Sequence, residues 1–204
     1  MSLVTRSVVS AALVTLLGTW VFWWGTDGFT AFTAETARRV EILRSPRPLP
    51  DVSLEDQDGK IFSLRDYQGK LIAVDFIYTR CTTLCRSMGM IFKQIRDLVP
   101  QESLGRDFML LSISFDSEHD DPASMKEYGE TYDADGDIWR IARVTDRAQL
   151  QSLLDAFGII VIPDEFGGFE HNTALHLVGR DGRLMLISDI DKAVPFAEAV
   201  VAAL

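Results

Sequence analysis

The sequence predicts an α/β domain, a mixed sheet with parallel central strands and helices on both faces, behind one N-terminal membrane-spanning helix. Three observations carry this. Leu71 to Tyr78 (LIAVDFIY) and Phe108 to Phe115 (FMLLSISF) are β-branched and aromatic runs of strand length that read as buried strands. Stretches of helical spacing follow each run, and strands alternating with helices imply parallel pairs joined by crossovers. Ahead of both, the 17 residues from Val8 to Trp24 carry no charge. That is the lower limit for crossing a bilayer core about 30 Å thick at about 1.5 Å per residue.

The N-terminal stretch, residues 1–26, is expected to be an uncleaved anchor. Trp20, Trp23 and Trp24 gather at its distal end, where indoles favour the headgroup layer, and Arg6 sits on the short proximal side. A cleaved signal peptide is the competing reading, but bulky tryptophans stand where small residues should precede cleavage. Arg38 and Arg39 lie within about 15 to 20 residues of the far end and weaken the lysine and arginine asymmetry. The orientation therefore rests on the cysteine chemistry, which suits an oxidising compartment, and on the ease with which long domains translocate. One arginine and an all-round apolar start do not make a mitochondrial transit peptide. The expected location is a bacterial inner membrane, single-pass, with the domain facing the periplasm.

Residues 27–50 read as a tether. They have no sustained period, carry Arg38, Arg39, Arg44 and Arg47, and end in Ser-Pro-Arg-Pro-Leu-Pro, which favours extended chain. The folded domain, residues 51–204, opens with a hairpin from Val52 to Ser63 around Asp58-Gly59. The strand Leu71 to Tyr78 follows. After the two cysteines a helix is predicted from Met88, Ile91, Phe92, Ile95 and Leu98. Beyond the strand Phe108 to Phe115, Asp121 caps a helix with Pro122 at its first position, running through Glu130. Ile138 to Val144 is a shorter strand, and Asp146 to Phe157 a helix closed by Gly158. Thr173 to Val178 and Leu184 to Ile187 form a hairpin around Asp181-Gly182, and Ala193 to Leu204 a closing helix. Cysteines just after the first long strand lie at the carboxyl edge of the sheet, where α/β folds place their sites. A thioredoxin-like layout fits this order.

Composition removes one function class. The net charge is -10, and only Arg6 among the 20 basic residues precedes Asp27, so the domain is strongly acidic and has no basic stripe. It repels phosphate backbones, which argues against nucleic acid as a partner. Two cysteines are too few for a disulfide framework, but four positions apart they are arranged as a site.

That site is Cys81-Thr82-Thr83-Leu84-Cys85. On a helix, spacing i to i+4 would present both sulfurs on one side, one turn apart. A helix N-terminus and the neighbouring Arg80 favour thiolate, the form that binds metal and exchanges disulfides. Three readings compete: a structural disulfide, a redox dithiol and a copper site. A five-residue loop makes the disulfide worth only about 2 kcal/mol, and the familiar redox spacing has two residues between the cysteines rather than three. Copper draws on soft thiolates for Cu(I), with a histidine nitrogen helping to hold Cu(II). Of the three histidines, His119 sits in the acidic loop Ser117-Glu118-His119-Asp120-Asp121 and reads as solvated. His176 faces opposite to Leu175 and Leu177 on a strand and reads as packed. His171 lies on a loop behind Gly167-Gly168 that can approach the cysteines.

The chain resembles the Sco/SenC family from the anchor to the last strand. The resemblance rests on Asp56-Gln57-Asp58-Gly59-Lys60, on Phe76-Ile77-Tyr78-Thr79-Arg80-Cys81 with Cys85, on Ser112-Ile113-Ser114-Phe115-Asp116 with Asp120 and Pro122, and on His171 seven residues before Val178 with Asp181-Gly182 following. It implies copper, as Cu(I) or Cu(II), held by Cys81, Cys85 and His171, and a part in assembling the dinuclear copper centre of cytochrome c oxidase subunit II. The partners implied are that subunit or another copper acceptor. The chain departs from the family pattern where Thr82, Arg86 and Ser117 replace frequent prolines. Arg86 favours thiolate on Cys85 yet opposes a second positive charge from copper. A proline usual opposite thioredoxin cysteines is missing from Glu170-His171-Asn172-Thr173, which favours metal over general disulfide exchange. The expectation is therefore a copper-binding protein rather than an enzyme, with Asp116, Asp120 and other acidic residues steering docking. The alternative is a membrane-tethered thiol-disulfide reductase using Cys81 and Cys85. A peroxidase built on Thr82 and Cys85 lacks its upstream proline.

Overall fold

Residues 3–26, 28–29, 32–81 and 84–204 are described in the computed structural model, with the backbone alone at residues 3, 84 and 85. Thr82 and the Cys85 side chain thus lie outside the described residues. The chain divides between Arg44 and Ser45 into two compact units.

In the first unit, helix α1 (Leu3–Gly25) exposes valine, leucine and tryptophan side chains along its length. Its residues Val4–Gly25 are long and apolar enough to cross a membrane. Both the amide and the hydroxyl of Thr26 turn back to the Phe22 carbonyl, at 3.0 and 2.7 Å, and close the helix. The stretch read as a tether without a period differs from expectation, because Ala34–Arg44 forms a helix, α2. Local polar contacts make it rather than an apolar stripe. The Thr33 hydroxyl accepts the Thr36 amide at 3.1 Å, and Glu35 pairs with Arg38 and Arg39 at 2.7 and 2.8 Å.

The second unit is an eight-stranded sheet with helices. Strand β1 (Arg47–Pro48), within the residues read as extended tether, pairs antiparallel with the last strand of the domain. Strands β2 (Ser53–Asp56) and β3 (Ile61–Ser63) form the expected hairpin, with Gly59 at φ 75 in its turn. Asp56 Oδ1 accepts the amides of Asp58 and Lys60, so the Asp-Gln-Asp-Gly-Lys motif is a turn builder. Strands β4 (Leu71–Ile77) and β5 (Phe108–Ser114) are buried at every position and pair in parallel, and β6 (Trp139–Arg143) pairs in parallel with β5. Sheets covered on both faces require such continuous runs.

Helix α3 (Leu84–Leu98) follows β4 and buries Met88, Phe92 and Ile95. Leu98, expected in that stripe, is exposed, and Val99 just past the helix end is buried instead. Gly89 is required, since a Cβ there would lie 2.6 Å from the Tyr132 ring. Helix α4 (Pro122–Thr131) starts as predicted, with Asp121 accepting the Ser124 amide at 2.9 Å. Helix α5 (Arg147–Phe157) ends at Gly158 with φ 70.

Strands β7 (Val161–Pro163) and β8 (Phe169–His171) pair antiparallel in a separate two-stranded sheet. This hairpin replaces the expected loop. Its two strands have three residues each, and the proline that ends β7 and the glycines before β8 hid the pattern. Strands β9 (Leu175–Val178) and β10 (Arg183–Ser188) and helix α6 (Ala193–Ala203) complete the chain. The sheet order is β1-β10-β9-β4-β5-β6-β2-β3, so β4 and its carboxyl end are central.

Candidate metal centre

Where β4 ends, Tyr78-Thr79-Arg80 lead to Cys81, whose amide donates to the Tyr78 carbonyl at 3.2 Å. Cys81 is half-buried. Helix α3 is described from Leu84; Cys81 is not helical, and the Cys85 backbone lies in the helix. The chain turns at Thr79-Arg80 after β4, and the expected stacking of both sulfurs on one helical face falls on the Cys85 side chain, outside the described residues. The unpaired amides of the helix's first turn favour negative charge near Cys85.

The loop after β5 fixes Thr79 and Arg80. Asp120 is fully buried and accepts the Thr79 amide at 2.8 Å, the Thr79 hydroxyl at 2.6 Å and the Ser114 hydroxyl at 2.5 Å. Asp116, 4% exposed, accepts the Arg80 guanidinium at 2.7 Å, and its other oxygen faces His119 Nδ1 at 2.8 Å. Arg143 donates to the Ser117 and Asp120 carbonyls and closes the loop from β6. This corrects the expectation that Asp116 and Asp120 steer docking. They are buried, and their carboxylates hold the segment that carries Cys81. The charge of Arg80, expected as a positive neighbour of the thiol, is paired with Asp116. That partner holds the guanidinium pKa above its usual value. His119, read as solvated, has a half-exposed ring that Asp116 holds. Sequence reasoning quoted Ser114, Asp116 and Asp120 but missed their role, because hydrogen bonds between loops 41 residues apart leave no periodic trace.

Arg86 is exposed on α3. Together with Arg80, Cys81, Glu127, Tyr128 and Tyr132 it lines a cleft of about 510 Å³ that opens onto the Cys81 loop.

His171 ends β8. Its ring packs 4.8 Å from Phe115 and 6.4 Å from Tyr78, centroid to centroid, which brings it against the strand ends that lead into the cysteine loop and the acidic loop. Nδ1 lies 3.3 Å from the Asn172 carbonyl. A carbonyl only accepts, so Nδ1 donates and Nε2 carries the lone pair. That Nε2 is buried and meets no hydrogen-bond donor among the described residues. Burial pulls the ring's pKa below its usual value, against the smaller opposite effect of the Asn172 carbonyl, and keeps the imidazole neutral. A buried, unused lone pair on a neutral imidazole is what a metal ion requires of a histidine. His176, by contrast, is fully buried, bonds the Val74 carbonyl at 3.2 Å and meets Phe76 and Phe157 edge-on, as expected of a packed strand residue. Among the described residues no three His, Cys, Asp or Glu side chains converge as a metal-holding group, and the Cys85 sulfur lies outside that set. The donor types nevertheless fit copper, with a soft sulfur at Cys81 and a neutral imidazole nitrogen at His171.

The family model described as SCO1/SenC matches residues 47–204. The SCO1 protein homolog of Bacillus subtilis (strain 168) is 28% identical over 135 residues, covering 65% of this chain and 69% of the relative. Among solved structures, a SCO1/SenC family lipoprotein from Bacillus anthracis str. Ames superposes with a TM-score of 0.71 at 24% identity, covering 79% of this chain and 98% of that one. Bradyrhizobium japonicum ScoI with copper bound superposes with a TM-score of 0.65 at 21% identity, covering 77% and 99%. The likeness to these structures is one of fold, the thioredoxin-like fold expected from the order of elements.

Proposed function

This chain belongs to the SCO1/SenC family, and on that premise we propose that it is a membrane-anchored copper-binding protein whose cargo is held by Cys81, Cys85 and His171. The copper is delivered to, or used to prepare, the dinuclear copper site of cytochrome c oxidase subunit II, with α1 in a bacterial inner membrane and the domain in the periplasm. The observation that carries this reading is the buried His171 Nε2 with no partner among the described residues, its ring set on those of Tyr78 and Phe115 beside the Cys81 segment. Leaving such a nitrogen unsatisfied costs about 1 to 3 kcal/mol, a cost that metal coordination removes. The thiolates suit Cu(I), and the imidazole adds the harder donor that Cu(II) favours. The anchoring of Thr79 and Arg80 by Asp120 and Asp116 keeps Cys81 positioned whether or not cargo is bound.

A second reading is a thiol-disulfide reductase tethered to the membrane. It is favoured by the cleft beside Cys81, which gives an incoming disulfide room to approach the sulfur. Titration of wild type and His171→Ala with each copper oxidation state separates the two. A three-donor site loses Cu(II) affinity by at least tenfold more than Cu(I) affinity, because two thiolates still hold Cu(I) in a two-coordinate arrangement. A dedicated reductase binds neither form appreciably and changes only its exchange rate or potential. His119→Ala, a half-exposed ring, serves as the control. Equal losses in both variants would remove His171 from the ligand set.

A further inference from the structure

The hairpin that carries His171 has two unlike faces. In antiparallel register Val161 pairs with His171 and Pro163 with Phe169, so these four side chains share one face, and Phe169 and His171 pack there on Tyr78 and Phe115. Ile162 pairs with Glu170 on the reverse face, and alternation places Ile160 there too. That reverse face is unusually apolar for solvent: Ile160 is 64% exposed and Ile162 56% exposed, and at the turn Phe166 is 95% exposed. Together they expose roughly 400 Å², within the range of the largest apolar patch on a typical monomer, which is often functional. The charged residues of the hairpin itself are Asp164, Glu165 and Glu170, and no lysine or arginine occurs between Gly158 and His171.

This charge pattern selects the occupant. A second copy of the chain would bring the same three acids against themselves, since a two-fold contact matches a patch with itself. An anionic lipid surface would be repelled likewise. We propose that the outer face and tip of this hairpin, Ile160, Ile162 and Phe166 with their acidic rim, dock a protein partner that presents an apolar depression bordered by lysine or arginine. The inference rests on the proposed copper delivery and identifies the partner as the copper acceptor. Docking there grips the hairpin from behind while His171 projects from its other face, so the contact seizes the element that bears the nitrogen ligand. Aromatic and aliphatic anchors in the centre would supply affinity, and the acids would supply orientation and salt-sensitive encounter.

The test uses the full chain in vesicles of phosphatidylethanolamine and phosphatidylglycerol, loaded with copper, and the soluble copper domain of an oxidase subunit II as acceptor. Transfer is measured against acceptor concentration. Phe166→Ser with Ile162→Ser should raise the KM for acceptor about tenfold and leave the maximal rate and the copper affinity unchanged. Glu165→Lys with Glu170→Lys should slow transfer and abolish its dependence on salt. Both pairs are exposed, so neither threatens folding. A KM within twofold of wild type in the serine pair overturns the docking face alone. A wild type that holds copper but passes none to the acceptor overturns the partner and the delivery function together. In residues 45–204, whose one native tryptophan, Trp139, is fully buried, a Phe166→Trp emission shifted to the blue on adding such vesicles would assign the tip to the membrane. A dimer in sedimentation that the serine pair dissolves would assign the face to a second copy. Either result also overturns the proposal.

Discussion

Replacing Asp75 with asparagine should stabilise the domain above neutral pH and destabilise it in acid. Asp75 stands within β4, opposite Ser112 of β5, fully buried, with neither carboxyl oxygen in hydrogen-bond geometry to a partner among the described residues. Burial pushes its pKa up from 3.8 to about 7, and the nearby Ser112 hydroxyl, itself an acceptor for Trp139 Nε1 at 3.0 Å, offsets only part of this. The folded state therefore retains a proton that the unfolded chain loses above its ordinary pKa. Stability is greatest below that ordinary pKa, declines as pH rises towards 7, and is level beyond it. At about 1.4 kcal/mol per pKa unit the full loss is about 4 kcal/mol, of which about 3 falls between pH 5 and 8. Asparagine has the same shape and no titration, but its buried amide bears its own cost of about 1 to 3 kcal/mol. The net gain at pH 8 is thus about 1 to 3 kcal/mol. In urea unfolding of residues 45–204, wild type should lose roughly 1 to 1.5 M of midpoint from pH 5 to 8 relative to Asp75→Asn, for a slope of about 2 kcal/mol/M. The difference between the proteins isolates Asp75, because His171, whose pKa is lowered by burial, adds stability in both as pH rises towards its unfolded value. Parallel pH profiles for the two proteins would refute a protonated Asp75.

Three further outcomes are expected. Asp120→Ala leaves the Thr79 amide and hydroxyl and the Ser114 hydroxyl without their acceptor; it should cost about 2 to 4 kcal/mol in thermal unfolding and weaken copper uptake, whereas Asp121→Ala, an exposed cap, should cost about 1 kcal/mol and leave uptake intact. A chain starting at Ser45 should unfold later in urea than one starting at Asp51, since the shorter chain lacks strand β1, the Arg47 bond to the Ala156 carbonyl and the Pro46 carbonyl that Arg183 bonds. Mild oxidation should join Cys81 to Cys85 and abolish copper uptake, because both sulfurs are then occupied; mass and metal content measured together check this, and unchanged uptake would remove the cysteines from the site.

Much of this protein is legible one element at a time. The runs LIAVDFIY and FMLLSISF, Asp58-Gly59, Asp121-Pro122 and Gly158 specify strands, a turn, a cap and a stop through local physics, and each stands where those residues imply. His176 is equally plain, a strand histidine that packs. What sequence could not decide lies in contacts between distant segments. Asp116 and Asp120 look like surface acids in a loop of acids. Only the closure of that loop over the end of β4 turns them inward onto Arg80 and Thr79. Helix α2 escaped because caps and ion pairs make it, without an apolar period. The hairpin β7–β8 escaped because three-residue strands around a proline and two glycines have too few alternations to register. Its burial against Tyr78 and Phe115 gives His171 a neutral ring with an unused nitrogen, since removing water from one face of an imidazole is the work of side chains far away in sequence.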